Sequence, residues 1–371
     1  MFQTEPWARA VAGRLAGEPN PRPKRLAVIR MTTKVLTLVA AVMVAVSAIA
    51  PATAQSPRPS PIFRLESDEF WLNLHHFLYA LGRVEAKMSD ATSAGVAAAS
   101  SEAERGGQAL TDDERKTWAA AVSAYAAGLS KLDAVRGEPF PTITAALAMA
   151  DDAPALSGVD PAAAETLTRA APIYRKAWWP AHRAANRAWQ SSIEAFIDRH
   201  GTAVRDVLVK WYGLPWPADG YGVHLSGYSV AVGAYSSSRG VLVVSSLDPS
   251  YKDLNGLEMI FHEAMHQWDG PVFNALNAQA KALKVAVPID LSHAMIFFTT
   301  GEAVRRVEPA HVPYAESLGI WPLRLSGAQR PAERLKGPLE ETWRPYLNGR
   351  GTRDEALAAL LGRVGIAAAA K

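Results

Sequence analysis

The residues with the clearest capacity for chemistry are His262, Glu263 and His266, which form the motif HExxH within a segment of helical periodicity. Two histidines at this spacing lie about 40° apart on one face of a helix, so both imidazoles can bind one ion. Such a pair suits zinc. The carboxylate of Glu263 lies beside them, where it can accept a proton from water and pass it to a leaving amine. The motif therefore predicts a hydrolase with one zinc ion per chain.

A catalytic zinc needs a third protein ligand and leaves its fourth position for water. The motif HExxHxxGxxH, which supplies a nearby third histidine, is excluded because Asp269 and Val272 stand where its glycine and last histidine would be. The best candidate further along the chain is Glu302, in the segment FFTTGEAVRR.

His293 is the main alternative to Glu302 as the third ligand. Both residues lie in the segment 292–307, whose periodicity predicts one helix. Nine residues at 100° per residue place the two side chains about 180° apart, so they cannot both face one ion from that helix. Asp290 and Glu308 are further candidates, since zinc accepts nitrogen and oxygen donors.

With Glu302 as a ligand, the chain resembles the gluzincins, the thermolysin-like zinc peptidases in which a glutamate on a later helix follows HExxH. The resemblance covers residues 222–308, and HEAMHQWD is also similar to the HExxHxWN form of the glycyl-aminopeptidase-like branch. It implies a zincin-like fold in which the edge strand of an antiparallel sheet pairs with an extended peptide. The segment Val241–Ser246 is the expected edge strand.

Two supporting roles are also expected in such a site. Several gluzincins have an aspartate four residues after the glutamate, where this chain has Arg306. The carboxylate that orients a ligand histidine would then come from Asp269 or Glu258. A donor to the oxyanion of the attacked carbonyl is also needed, and Tyr314 and His311 are the candidates by chain position.

The elements that must position these residues are mostly helical. Helical periodicity covers residues 254–268 and 292–307, whereas residues 221–247 alternate as strands do, with a turn at Ser236–Gly240. A long helix interrupted by a proline is expected to end at Gly201 in a left-handed C-cap. The sequence predicts an α+β fold, mostly helical, with a small central antiparallel sheet next to the HExxH helix.

Three regions follow from these patterns. Residues 1–54 form an N-terminal extension and signal peptide, residues 55–215 a helical region, and residues 216–371 the zincin-like catalytic region. The first region holds seven of the 39 basic and two of the 36 acidic residues, so the remainder has a net charge near −2. This charge gives no reason to expect binding to nucleic acid.

The expected signal peptide has an apolar core at residues 35–50 and an A-x-A site that would be cut after Ala54. A transmembrane anchor is the alternative, but the apolar stretch is short for a bilayer of roughly 30 Å. We therefore expect a secreted or periplasmic protein with no stable membrane anchor after cleavage. Residues 1–30 precede Met31, where a signal peptide would normally begin, and are interpreted as an upstream extension. The chain has no cysteine, so neither disulfides nor thiolate ligands are possible.

The function that these observations favour is an exported zinc metallopeptidase with peptide or protein substrates. A zinc amidase acting on cell-wall peptides has the same residues. The third hypothesis is a non-catalytic envelope protein for binding or assembly that keeps the zincin-like fold. Glu263 favours the hydrolases, because a structural metal site needs no carboxylate to activate water.

Overall fold

The computed structural model describes residues 61–367, with the exception of residues 92, 151–155, 231–232 and 326–327. The expected extension and signal peptide at residues 1–54 lie outside the described residues. The described residues form one compact unit. Within the described ranges, no helix is long and apolar enough to cross a membrane.

The fold is mostly helical, as the sequence predicts. In chain order the α-helices are α1 (Phe70–Glu85), α2 (Ala94–Gly107), α3 (Asp112–Ala127), α4 (Phe140–Leu147), α5 (Pro161–Ala177), α6 (Trp179–Phe196), α7 (Thr202–Tyr212), α8 (Asp253–Met265), α9 (Asp269–Leu283), α10 (Leu291–Val307), α11 (Tyr314–Ser317), α12 (Glu333–Pro338), α13 (Arg344–Leu347) and α14 (Arg353–Val364). The helices predicted at residues 254–268 and 292–307 correspond to α8, with the 3-10 turn that follows it, and to α10.

The strands form one four-stranded sheet and one short pair. They are β1 (Phe63–Glu66), β2 (Tyr221–Ser226), β3 (Ala234–Ser236), β4 (Leu242–Ser245), β5 (Val285–Ala286) and β6 (Ile366–Ala367). The larger sheet has the order β1-β2-β4-β3, and β5 pairs with β6. Together with the helices, these strands give the α+β class that the sequence predicts.

The larger sheet is mixed, so the prediction of an antiparallel sheet is only partly right. Strands β3 and β4 form the expected antiparallel hairpin, in which Ala234 pairs with Val244 and Ser236 with Leu242. Strand β2, however, is parallel to both β1 and β4. The prediction that Val241–Ser246 is the edge strand is wrong, because β4 lies between β2 and β3 and the edge is β3.

The larger sheet separates two hydrophobic cores, and alternate side chains of its strands enter one or the other. Leu242 and Val244 of β4 pack in the core that contains α8 and α10. Val243 of β4 and Tyr235 of β3 pack in the core of α1, α3 and α5. Because the HExxH helix α8 lies against the sheet and other helices, all of its residues from Gly256 to Met265 are buried.

The first core includes residues from both of the regions expected from the sequence. Val204 and Leu208 of α7 share it with Leu257 and Phe261 of α8. Helix α7 also continues the chain beyond Gly201, where the sequence analysis expected a helix to end. The boundary at residue 215 therefore does not separate two cores.

Gly201 has a right-handed φ of −57° and lies inside continuous helical backbone. The left-handed C-cap falls at Gly213 instead, with a φ of 65°. Close packing accounts for the first glycine, because a Cβ added there would lie 3.0 Å from Cδ1 of Ile62. The prediction of a helix end at Gly201 is therefore wrong, since the glycine serves packing rather than a turn.

Candidate metal centre

Three histidines from two helices converge on one point. His262 lies near the end of α8, His266 one turn later in the 3-10 turn, and His293 in the first turn of α10. One ligand nitrogen from each ring lies within 4.8 Å of the others. Helix α8 thus supplies two adjacent imidazoles, as the HExxH spacing predicts, and α10 supplies the third.

The spacing of two of the nitrogens fits a tetrahedral metal site. Nε2 of His262 and Nε2 of His293 are 3.2 Å apart. Two nitrogens bound at about 2.0–2.1 Å to a tetrahedral zinc are about 3.3–3.4 Å apart. These two rings can therefore share a metal ion with little movement, and a ligand nitrogen of His266 lies within 4.8 Å of both.

Glu302 does not belong to this group of ligands. Its Oε1 accepts hydrogen bonds from Nη2 of Arg305 at 2.5 Å and from Nη2 of Arg344 at 3.1 Å. Glu302 and His293 point to opposite sides of α10, as their separation of about 180° requires. Glu302 therefore links α10 to α13, and the position expected for it beside the HExxH pair is occupied by His293.

The two other acids considered as third ligands are also placed elsewhere. Asp290 is buried, and its Oδ1 accepts a hydrogen bond from Nη2 of Arg334 at 2.6 Å. Glu308 follows the last residue of α10, about 20 Å along the helix axis from His293. Neither is a member of the histidine group.

Asp269 orients one of the histidines. Its Oδ2 lies 3.0 Å from Nδ1 of His266, which leaves Nε2 of that ring to face the group. Burial alone would lower the pKa of His266. The hydrogen bond with Asp269 and the charge of Glu263 outweigh this effect, so the pKa is raised above its usual value. Asp269 is therefore the carboxylate that orients a ligand histidine, a role for which Asp269 and Glu258 are the candidates from the sequence.

The other two histidines are uncharged at neutral pH. Burial lowers the pKa of His262 well below its usual value, and the positive charge of His266 acts in the same direction. Burial also lowers the pKa of His293, to about 3. Since a metal binds the neutral imidazole, both rings are ready to bind without first losing a proton.

Glu263 is buried beside the histidines, with only 4% of its surface exposed. The hydroxyl of Ser236 on β3 contacts it, at 2.6 Å from its main-chain oxygen and 3.0 Å from Oε2. Burial raises the pKa of Glu263 to about 6, although the charge of His266 and the bond from Ser236 lower it. A carboxyl group with this pKa can accept and release a proton close to neutral pH.

An aromatic side chain, Phe297, forms one wall of the centre. Its ring centroid lies 4.0 Å from that of His262 and 4.9 Å from that of His293. The ring of Tyr314 lies parallel to that of Phe297, with 6.4 Å between the ring centroids. Both rings are buried, so they form an apolar wall beside the histidine group.

The structure separates the two residues expected as oxyanion donors. His311 is buried, and its Nε2 donates to Oε2 of Glu258 at 2.6 Å, while the main-chain N–H of Tyr314 donates to the same oxygen at 2.9 Å. Burial raises the pKa of Tyr314, although hydrogen bonds with Tyr251 and Ser250 lower it, and the charges of Asp248 and Glu263 add to the rise. His311 therefore supports the loop that carries Tyr314, whereas the ring of Tyr314 stacks on Phe297 at the wall of the centre.

Ser236 and Phe297 were not identified from the sequence. Phe297 could have been found, because it lies four residues after His293 and therefore on the same helix face. Ser236 has no such local signal. Its place beside Glu263 follows from the packing of β3 on α8.

Comparisons of the chain with models of protein families, with curated proteins and with solved structures found no match. The function of the centre must therefore be inferred from its own geometry.

Proposed function

We propose that this chain is an exported zinc-dependent hydrolase that cleaves amide bonds, with peptides or proteins as substrates. The observation that carries the proposal is the convergence of His262, His266 and His293 beside the buried carboxylate of Glu263. In the described part of the chain the ligand group has three members, which leaves a fourth position for water or substrate. Three nitrogen ligands with one open position are typical of catalytic zinc.

The proposed ligand set differs from the gluzincin pattern. It consists of three histidines, whereas the resemblance implied two histidines and Glu302. The zincin-like features that support a hydrolase are the HExxH helix, the carboxylate within it and the strand beside it. We accordingly propose a zincin-like hydrolase whose metal is held by histidine alone.

The protein's own residues account for the proton transfers of such a reaction. A zinc ion held here would polarise the substrate carbonyl and acidify water. Glu263 accepts a proton from the attacking water and delivers it to the leaving nitrogen, and Ser236 holds that carboxylate in place. Tyr314 donates a hydrogen bond to the oxygen that becomes negative when the carbonyl is attacked.

Strand β3 supports an extended substrate. It is the edge of the larger sheet, and no further strand pairs with it among the described residues. Ser236, its last residue, contacts Glu263. A peptide that pairs with this edge would lie beside the catalytic carboxylate, with alternate side chains facing the metal centre.

Export is part of the proposal and rests on the segment from Lys34 to Gln55. An apolar core and an A-x-A site predict that the mature chain begins at Gln55. Sequencing the N-terminus of the protein recovered from the periplasm or medium of an expressing bacterium tests this. Recovery in the cytoplasm with an intact N-terminus would contradict it.

The catalytic proposal is tested with the purified chain from Gln55, loaded with zinc. The wild type and the variants Glu263→Gln and Glu308→Gln are incubated with a mixture of peptides, and mass spectrometry follows cleavage. We expect Glu263→Gln to keep its zinc and to lose at least about 100-fold in rate. Glu308→Gln, which removes a carboxylate outside the centre, should cleave as the wild type does. Full activity of Glu263→Gln would contradict the mechanism, and zinc binding without any hydrolysis would favour the non-catalytic protein.

A further inference from the structure

We propose that Arg136 binds a carboxylate of the substrate at the opening of the metal centre, so that the enzyme prefers peptides with an acidic group near the cleaved bond. This inference rests on the proposed function and adds a class of substrate to it. Arg136 lies far from the HExxH motif in sequence, and only the fold brings the two together.

The loop that carries Arg136 is rigidly shaped. It runs between the 3-10 turn Leu129–Lys131 and α4. Oδ1 of Asp133 accepts hydrogen bonds from the main-chain N–H groups of Val135 and Arg136, at 2.8 and 2.9 Å. These bonds hold the main chain of Arg136 in a tight turn, from which its side chain extends.

The same loop is attached to the hairpin that forms the edge of the sheet. The main-chain N–H of Ser238 donates to the carbonyl of Val135 at 2.9 Å. The guanidinium of Arg239 donates to Oε1 of Glu138, with Nη2 at 2.9 Å and Nε at 3.1 Å. Because Ser236 of this hairpin contacts Glu263, the attachment places Arg136 on the hairpin side of the metal centre.

The metal centre is partly open to solvent. His266 and His293 are partly exposed, whereas His262 is buried. The turn of the same hairpin approaches this part of the centre, since a Cβ added to Gly240 would lie 3.3 Å from Oε1 of Gln267, the residue after His266. The loop of Arg136, which is bonded to that turn through Ser238, therefore lies on the side of the partly exposed histidines.

The guanidinium of Arg136 is available to a ligand. Arg136 is exposed, and its side chain has no ion pair or hydrogen bond with another described residue. The neighbouring Arg239, in contrast, is already paired with Glu138. A guanidinium presents a planar pair of donors that matches the two oxygens of a carboxylate. A substrate held at the metal by its carbonyl would place a nearby carboxylate within reach of this group.

The proposal is tested by binding of three peptide hydroxamates to the zinc-loaded chain from Gln55, measured by calorimetry. The hydroxamate binds the metal in each, and the attached dipeptide ends in a free carboxylate, in an amide, or in an amide with a glutamate side chain. We expect the wild type to bind at least one acidic probe about tenfold more tightly than the neutral one. The probe that is favoured identifies the carboxylate as the C-terminus or as a side chain.

Three variants test which arginine causes the preference for the acidic probes. Arg136→Gln should bind all three probes with the affinity of the neutral one, and Arg136→Lys should keep part of the preference because it keeps the charge. Arg199→Gln removes an exposed arginine from the turn between α6 and α7 and should leave the preference unchanged.

Equal binding of the three probes by the wild type, or an unchanged preference in Arg136→Gln, would overturn the role of Arg136 and leave the metal centre intact. If none of the probes binds to the zinc-loaded wild type, the proposed function itself fails.

Discussion

The hydroxyl of Ser236 lies 3.0 Å from Oε2 of Glu263 and 2.6 Å from its main-chain oxygen. The edge strand of the sheet therefore holds the carboxylate that the proposed reaction uses as its base. A substrate that pairs with this strand and the base that acts on it would be positioned by the same three residues of β3.

Replacing Ser236 by alanine should lower kcat about tenfold, because Glu263 would lose the hydrogen bond that fixes its carboxylate. Zinc content should not change, since Ser236 is not a member of the group of ligands that the described residues form. Ser245→Ala is a matched control, as it removes a buried hydroxyl of β4 that donates to the carbonyl of Gly227 at 2.8 Å. Equal kinetics of the two variants would rule out the positioning role.

Tyr314→Phe should reduce kcat by about 100-fold, which is the usual effect of removing one donor to an oxyanion. The ring and its stack on Phe297 remain, but the hydrogen bonds of the hydroxyl with Tyr251 and Ser250 are lost, so the free energy of unfolding should fall by about 1 kcal/mol. Tyr346→Phe provides the comparison, because its hydroxyl donates to the carbonyl of Trp211 far from the proposed reaction. A Tyr314→Phe enzyme with wild-type kcat would remove this residue from the mechanism.

Zinc binding should release protons from His266. Its pKa is raised, so below that pKa the ring is protonated and zinc must displace the proton, whereas His262 and His293 are already neutral. Zinc affinity should accordingly fall as the pH falls through the pKa of His266. Asp269→Asn replaces the charged acceptor that raises this pKa with a neutral one, so fewer protons should be released per zinc at pH 7. Calorimetry in two buffers of different ionisation enthalpy measures the difference, and equal release would contradict the role of Asp269.

The sequence predicts the HExxH helix well because its signal is local. The spacing of His262 and His266 fixes their common face, and the periodicity fixes a helix over nearly the whole of α8. Their neighbour Asp269 is also local, three residues after His266 in the next helical turn. These features need no knowledge of tertiary structure.

The third ligand could not be chosen in the same way. The helix α10 was predicted, and so was the fact that His293 and Glu302 lie on opposite faces, but the rotation of α10 against α8 depends on packing. Arg344 of α13, which lies 42 residues further along the chain, donates a hydrogen bond to Glu302 and holds it away from the histidines. The sequence of α10 alone does not indicate that contact.

The sheet could also be predicted only in part from the sequence. The alternation of residues 221–247 and the turn within them predict the hairpin of β3 and β4. Strand β1 is not predicted, because it follows the proline-rich residues 57–61. Parallel pairing joins segments that are distant in sequence, here Phe63 with Tyr221, and it leaves no turn to mark it. The edge strand was therefore assigned to β4, one strand too far into the sheet.

A prediction about stability concerns His76, which is buried on α1 and is not a member of the metal-ligand group. Its Nδ1 lies 2.9 Å from the carbonyl of Leu72 and its Nε2 lies 2.8 Å from the hydroxyl of Tyr235. Burial lowers its pKa from 6.5 to about 4. The unfolded chain therefore binds a proton at a higher pH than the folded chain does. The contribution of neutral His76 to the free energy of unfolding is complete above pH 6.5. It is lost as the pH falls toward 4, which lowers the free energy of unfolding by about 3 kcal/mol.

Urea unfolding of the wild type and His76→Gln from pH 8 to pH 4 tests this. The variant should be less stable at pH 8, where it lacks the native contacts of the ring, and the difference should shrink as the pH falls. A difference that stays constant over the whole range would show that His76 does not titrate in this way.

The measurement that tests the three-histidine centre most directly is the zinc content, by elemental analysis, of the wild type, His293→Ala and Glu302→Gln. The structure predicts one zinc per chain in the wild type and in Glu302→Gln, and a loss of zinc in His293→Ala. Glu302→Gln should affect only stability, because it weakens the ion pairs with Arg305 and Arg344. Zinc retained by His293→Ala and lost from Glu302→Gln, or a folded wild type that binds none, would contradict the account.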